Sequence, residues 1–118
     1  MSNPTLNIVF KNPFSFELML QQKFLSYGEW ADNGPPASIA PRQEVQVRVN
    51  GESNLQGYFS YITTQFGAGS PLVVAWRYQG GQPGHLVTVS RENFEISPPF
   101  TELRTPTAEV EVTISYLE

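Results

Sequence analysis

The chain holds one histidine, His85, one aspartate, Asp32, and no cysteine. That inventory narrows the chemistry before any element is placed. A single histidine cannot build a multi-histidine metal site or a relay between two imidazoles. Without cysteine there is no disulfide, no thiolate metal site and no cysteine nucleophile. A Ser-His-Asp relay would have to bring His85 to Asp32 and to a serine such as Ser26 or Ser90, and no Gly-x-Ser-x-Gly elbow accompanies them. The simpler reading of His85 is a residue at a loop edge. Paired carboxylates could serve glycoside hydrolysis. Glu44, Glu109 and Glu111, however, occupy outward positions of alternating runs, where acids solubilise a face or blunt a sheet edge. Gly80-Gly81 and Gly67-x-Gly69 lack the strand–loop–helix setting that aims amides at a phosphate. No catalytic residue, metal ligand or cofactor is expected.

Aromatic residues are the richer signal. Tyr27-Gly28-Glu29-Trp30 leads into the turn Asn33-Gly34-Pro35-Pro36. Trp76 and Tyr78 share one face of an apolar run, and Tyr58, Tyr61 and Phe66 add rings nearby in sequence. Rings fill a small core well, which is one reading of all of them. The other reading is a contact surface. Trp30 stands at a strand-to-loop boundary beside Glu29, Asp32 and Asn33. A ring floor edged by carboxylates and amides suits a choline-like or ethanolamine-like cation, with Asp32 or Glu52 supplying charge. It equally suits a stacked sugar ring whose hydroxyls bond to Asp and Asn. Rings exposed at a bilayer surface sit comfortably at headgroup depth.

Strands must position these groups. Period-two alternation runs through 5–12, 16–24, 45–49, 57–65, 72–78, 86–89, 94–97 and 108–117. The last is the most regular, with Val110, Val112, Ile114 and Tyr116 inward. The run 72–78 is apolar on both faces and reads as a central strand. Turn signals separate the runs, among them Asn12-Pro13, Asn50-Gly51, 66–71, 80–84 and Pro98-Pro99. Asn50-Gly51 predicts a tight hairpin, the loops 66–71 and 80–84 are expected to be less constrained, and Pro98-Pro99 must end the strand before it. No segment keeps a helical period for three turns. The expectation is an all-β chain: a single-domain antiparallel β-sandwich of about eight strands over residues 1–118.

Composition agrees. At 118 residues the chain suits one core. Charged residues are only 15%, too few for a solvated helical bundle. A net charge of −4 with no basic cluster speaks against nucleic acid and against purely electrostatic attachment to anionic lipid. No charged segment followed by an apolar one opens the chain, so no cleavable signal peptide is expected. No apolar run reaches transmembrane length. The expected product is soluble and cytoplasmic as made, with release by a signal-free route left open.

The order of motifs resembles the aegerolysins, small β-sandwich proteins of fungi and bacteria. The resemblance rests on an opening strand at 7–12, Leu25-Ser26-Tyr27-Gly28, Ile39-Ala40-Pro41 before Val45-Gln46-Val47, Gly51-Glu52-Ser53, Gly57-Tyr58-Phe59-Ser60, Val74-Ala75-Trp76 and the closing strand 110–117. After the central tryptophan the family often carries an Asp-Cys-Pro-Trp-Gly-like run, where this chain has Arg77 through Gly84 instead. The resemblance implies recognition of sphingolipids or sterol-rich membranes. It also implies a larger perforin-like partner that makes a pore, or a homo-oligomer. Tyr27 matches the family's aromatic before glycine, Trp76 its central tryptophan, and Glu52 an acidic loop before the Gly57 strand. The expected lipid-binding set is Tyr27, Trp30, Trp76 and Tyr78 for ring contacts, with Asp32 and Glu52 for charge. Two other classes remain: a carbohydrate-binding module using the same rings, and a structural or protein-interaction domain.

Overall fold

The computed structural model describes residues 3–63, 71–80, 82–90, 94–104 and 107–116. These form eleven strands: β1 (Thr5–Lys11), β2 (Leu18–Tyr27), β3 (Glu29–Trp30), β4 (Ser38–Ile39), β5 (Glu44–Asn50), β6 (Asn54–Ile62), β7 (Leu72–Gln79), β8 (Gln82–Ser90), β9 (Phe94–Ser97), β10 (Phe100–Leu103) and β11 (Thr107–Tyr116). One sheet has the order β3-β5-β1-β11-β9, and the other β10-β8-β7-β6-β2-β4. The expected all-β sandwich is present, and no helix occurs among the described residues.

Three details differ from expectation. The strand number exceeds eight because β3, β4 and β10 are edge strands of two to four residues, too short to show alternation. One pairing is parallel, β1 with β11; alternation carries no information on strand direction. Asn50-Gly51 makes no hairpin, because β5 and β6 belong to different sheets. It turns a corner between them, with the Gly51 N–H donating to the Pro4 carbonyl at 3.0 Å. The tight hairpin lies instead between β7 and β8, where Gln79 pairs with Gln82. Pro98-Pro99 ends β9 as expected and carries the chain to β10 in the opposite sheet. The loop expected at 66–71 lies, but for Pro71, outside the described residues.

Both sheets give their inward rows to one core. Phe10 of β1 stacks on Tyr61 of β6 at 5.4 Å and meets the edge of Phe59 at 5.6 Å. Asn12 closes one corner. Its side-chain amide donates to the carbonyls of Phe16, Ile39 and Ala40, and its oxygen accepts the Phe14 N–H.

Strand β2 breaks its own alternation twice. Its register against β6 shifts between Leu20 and Gln22 and again between Leu25 and Tyr27. Each extra residue reverses which side chains face the core. Leu18 and Leu20 point inward with Tyr61, whereas Phe24 lands opposite Tyr58 on the outside. The second bulge does the same for Tyr27, which pairs with Gln56 and not with an inward residue.

The outer faces of the two sheets are unlike. On the six-stranded sheet one row of cross-strand neighbours runs Phe24, Tyr58, Ala75, Val87, Phe100. On the five-stranded sheet the outward positions carry Glu44, Gln46, Arg48, Glu109 and Glu111, with Lys11 facing Glu111 at 3.7 Å. Val9 is the apolar exception there, and it is buried.

Candidate functional site

A cleft of about 580 Å3 opens at the end of the sandwich where β2 and β5 finish and β6 begins. Tyr27, Gly28 and Glu29 form one wall, the corner 50–54 forms the other, and Asn3 completes the rim. The walls meet because β3 leaves β2 at once and pairs with the end of β5, Glu29 against Asn50. Gly28 permits that turn. Its φ is 107°, and a Cβ there would lie 3.1 Å from the Asn50 carbonyl oxygen and from the side chains of Leu55 and Val49. The Tyr27 ring is 53% exposed, directed outward by the second β2 bulge.

The cleft therefore presents one phenol ring, the carboxylates of Glu29 and Glu52, the amides of Asn3, Asn50 and Asn54, and the Ser53 hydroxyl. Two carboxylates beside a ring attract a cationic group through charge and quadrupole together. The amides and hydroxyl are suited to bonding a neutral polar ligand.

Of the six residues expected from sequence, the fold brings Tyr27 and Glu52 into this cleft. Trp30 is half-buried and sits behind it. Its indole meets the edge of Trp76 at 5.9 Å, and Gly34, at φ 71°, packs against its outer side so closely that a Cβ would come within 3.1 Å of the ring. Asp32 is exposed on the turn that follows, at φ 56°, and does not line the cleft. Trp76, only 3% exposed, and Tyr78 are core residues. The ring contacts assigned to this pair are thus corrected: the inward row of β7 buries both in the core, Trp76 against Phe59 and Trp30, away from any ligand at the surface. The Trp76 indole N–H has no acceptor among the described residues.

Glu29, Asn50 and Asn54 line the cleft but were not in the binding set expected from sequence. The polar run 50–54 signals a loop, but nothing local places it against Tyr27, which lies more than twenty positions earlier. His85 stacks on Phe100 at 5.9 Å and faces Arg77 and Glu102 across neighbouring strands, while the Ser90 hydroxyl donates to the Phe94 carbonyl. The relay considered above is therefore not assembled around them. Among the described residues no group of three His, Cys, Asp or Glu stands close enough to hold a metal ion, and no helix is long and apolar enough to cross a membrane.

No family model matches the sequence, and no curated protein sequence does. Solved structures do match. The lipid binding protein Nakanori superposes with a TM-score of 0.77 at 10% identity, over 98% of this chain and 72% of its own. IP-1A from Alcaligenes faecalis superposes with a TM-score of 0.71 at 11% identity, over 98% of this chain and 92% of its own. At such identities the likeness speaks for architecture and not for site residues. The aegerolysin resemblance drawn from the order of motifs holds at that level: this chain carries the β-sandwich fold of Nakanori and IP-1A.

Proposed function

We propose that this chain is a non-catalytic, aegerolysin-type module that recognises lipid headgroups at a membrane surface, with the Tyr27 cleft as the headgroup site. One observation carries the reading. In a fold shared with a lipid binding protein, an exposed ring and two carboxylates converge on a cleft of headgroup size. Tyr27 offers its ring face to a choline or ethanolamine cation, and Glu29 and Glu52 supply the opposing charge. The amides of Asn50 and Asn54 bond the polar atoms around it. Trp30 stiffens the wall from behind, and Asp32 adds negative potential from the neighbouring turn.

The lipids that fit this reading are those of sphingolipid- or sterol-rich bilayers. Strands that fill their own core with side chains leave no lipid-facing barrel. Pore formation then belongs to a larger perforin-like partner recruited by the bound module, or to an oligomer.

Sedimentation with liposomes tests the proposal. Vesicles containing sphingomyelin and cholesterol should pellet the protein, and Tyr27→Ala or Glu52→Gln should weaken pelleting about tenfold, the loss of one cation contact at a desolvated site. Failure to pellet with any sphingolipid- or sterol-containing vesicle sinks the reading. The amide-rich rim also suits sugar hydroxyls, so binding to free glycans on an array, without a bilayer, would favour a carbohydrate-binding module instead.

A further inference from the structure

One row on the outer face of the six-stranded sheet is apolar throughout, where a solvated antiparallel sheet is ordinarily polar. The row Phe24, Tyr58, Ala75, Val87, Phe100 crosses five of the six strands. Phe24 is 52% exposed, and Phe100 and Val89 are each 57% exposed. Contiguous exposed apolar surface of this kind marks an interaction site.

The charge beside the band indicates what covers it. The next row runs His85, Arg77, Gln56, Tyr27. Arg77 is exposed and has no ion-pair partner among the described residues, whereas the Glu102 carboxylate at the far end of that row is held by Arg104 at 2.9 Å. Within this row the one charge without a partner is therefore cationic, in a chain whose net charge is −4. Arg77 and His85 share a second small cleft with Gln79 and Gln82, about 260 Å3 in volume. Gln79 of this cleft pairs with Asn54 of the Tyr27 cleft across β7 and β6.

We propose that this sheet face is the plane the protein lays on a phospholipid bilayer, its rings at headgroup depth and its Arg77–His85 pair on lipid phosphates. The inference rests on the lipid-binding reading above and names the surface that reading leaves open. A band of apolar side chains bordered by an arginine and a tyrosine is the composition that settles at the bilayer interface. A phosphate plane supplies the negative partner that Arg77 lacks. A second copy does not, because docking the same face against itself sets Arg77 opposite a row whose one carboxylate is already paired. With the face flat on the membrane, Tyr27 stands at its corner and the headgroup cleft opens along the surface.

The test exploits the absence of native cysteine. Val89→Cys reports on the face, and Glu109→Cys on the opposite sheet serves as control, each carrying an environment-sensitive fluorophore. The vesicles contain phosphatidylcholine, sphingomyelin and cholesterol. The label at 89 should shift to the blue and be quenched by a shallow acyl-chain nitroxide, while the label at 109 stays unchanged. Phe24→Ser with Phe100→Ser should lower vesicle affinity more than tenfold, and Arg77→Gln about fivefold, with thermal unfolding unaltered. Wild-type protein that pellets while the label at 89 stays silent overturns this orientation and leaves the headgroup site standing. Absence of pelleting with every composition overturns both. A lipid-independent, concentration-dependent shift at 89 overturns the bilayer in favour of a second copy.

Discussion

The inward and outward faces of the six-stranded sheet use the same kinds of residue for different ends. On β6, Phe59 and Tyr61 point inward and Tyr58 points outward; on β2, Leu18 points inward and Phe24 outward. The inward rings touch Phe10, Trp76 and each other at 5.4–6.0 Å and have essentially no exposure. The outward pair, Phe24 and Tyr58, lies at a similar 6.0 Å but has solvent on its other side. Ring contact alone therefore does not say what a ring is for. Enclosure makes the inward set responsible for the fold, and the outward set contributes little that folding requires.

Substitutions can break or sharpen that contrast. Phe59→Ala should have the largest effect, lowering unfolding free energy by about 3–5 kcal/mol through lost burial and the cavity left between the sheets; urea denaturation measures it. Asn12→Ala should follow at about 2–3 kcal/mol, because the carbonyls of Phe16, Ile39 and Ala40 lose a shared donor at a buried corner. Tyr61→Phe should cost about 1 kcal/mol, the bond from its hydroxyl to the Pro36 carbonyl at 2.7 Å. It should also change the alkaline limb. Burial pushes the Tyr61 phenol well above its ordinary value of about 10. Above that pH the unfolded chain releases this proton and the folded chain keeps it, so wild-type stability falls as pH rises, by up to about 1.4 kcal/mol per unit. Tyr61→Phe should flatten that fall in denaturation series run between neutral and strongly alkaline pH. Phe24→Ser should have the smallest effect, within about 0.5 kcal/mol. A loss at Phe24 comparable to that at Phe59 would erase the distinction between the two faces.

What the sequence revealed follows the same line. Strands with unbroken alternation were legible in their facing, as in Val45, Val47 and Val49 or the closing run from Val110. The apolar run 72–78 is central as read, with β6 and β8 on either side. Strand β2 was legible only as far as Leu20. Beyond it two bulges reverse the faces, and a bulge needs a partner strand to define it. Phe24 and Tyr27 could not be assigned to a side without β6. Trp76 and Tyr78 failed as ring contacts for the opposite reason: their strand is regular, and its regularity buries them. Half of the cleft was visible in Tyr27 and Glu52. Glu29 and the asparagines were not, since only β3 pairing with β5 brings the walls together.

The parallel pairing of β1 with β11 governs the order of assembly. Ile8 lies against Val110, 102 residues further along (110 − 8), whereas β7 and β8 already pair at Gln79 and Gln82. Closing a long loop costs entropy before any contact repays it, so distant pairings form late. The β6-β7-β8 meander can build locally, and the middle of the apolar band, Tyr58, Ala75 and Val87, is present before β1 meets β11. During synthesis that band is exposed alongside the inward rows of β6 and β7 while β1 waits for β11. The surface assigned here to a membrane is thus also the one a nascent chain must keep from its neighbours, and pulse-labelling hydrogen exchange should find amides of β7 protected before those of β1.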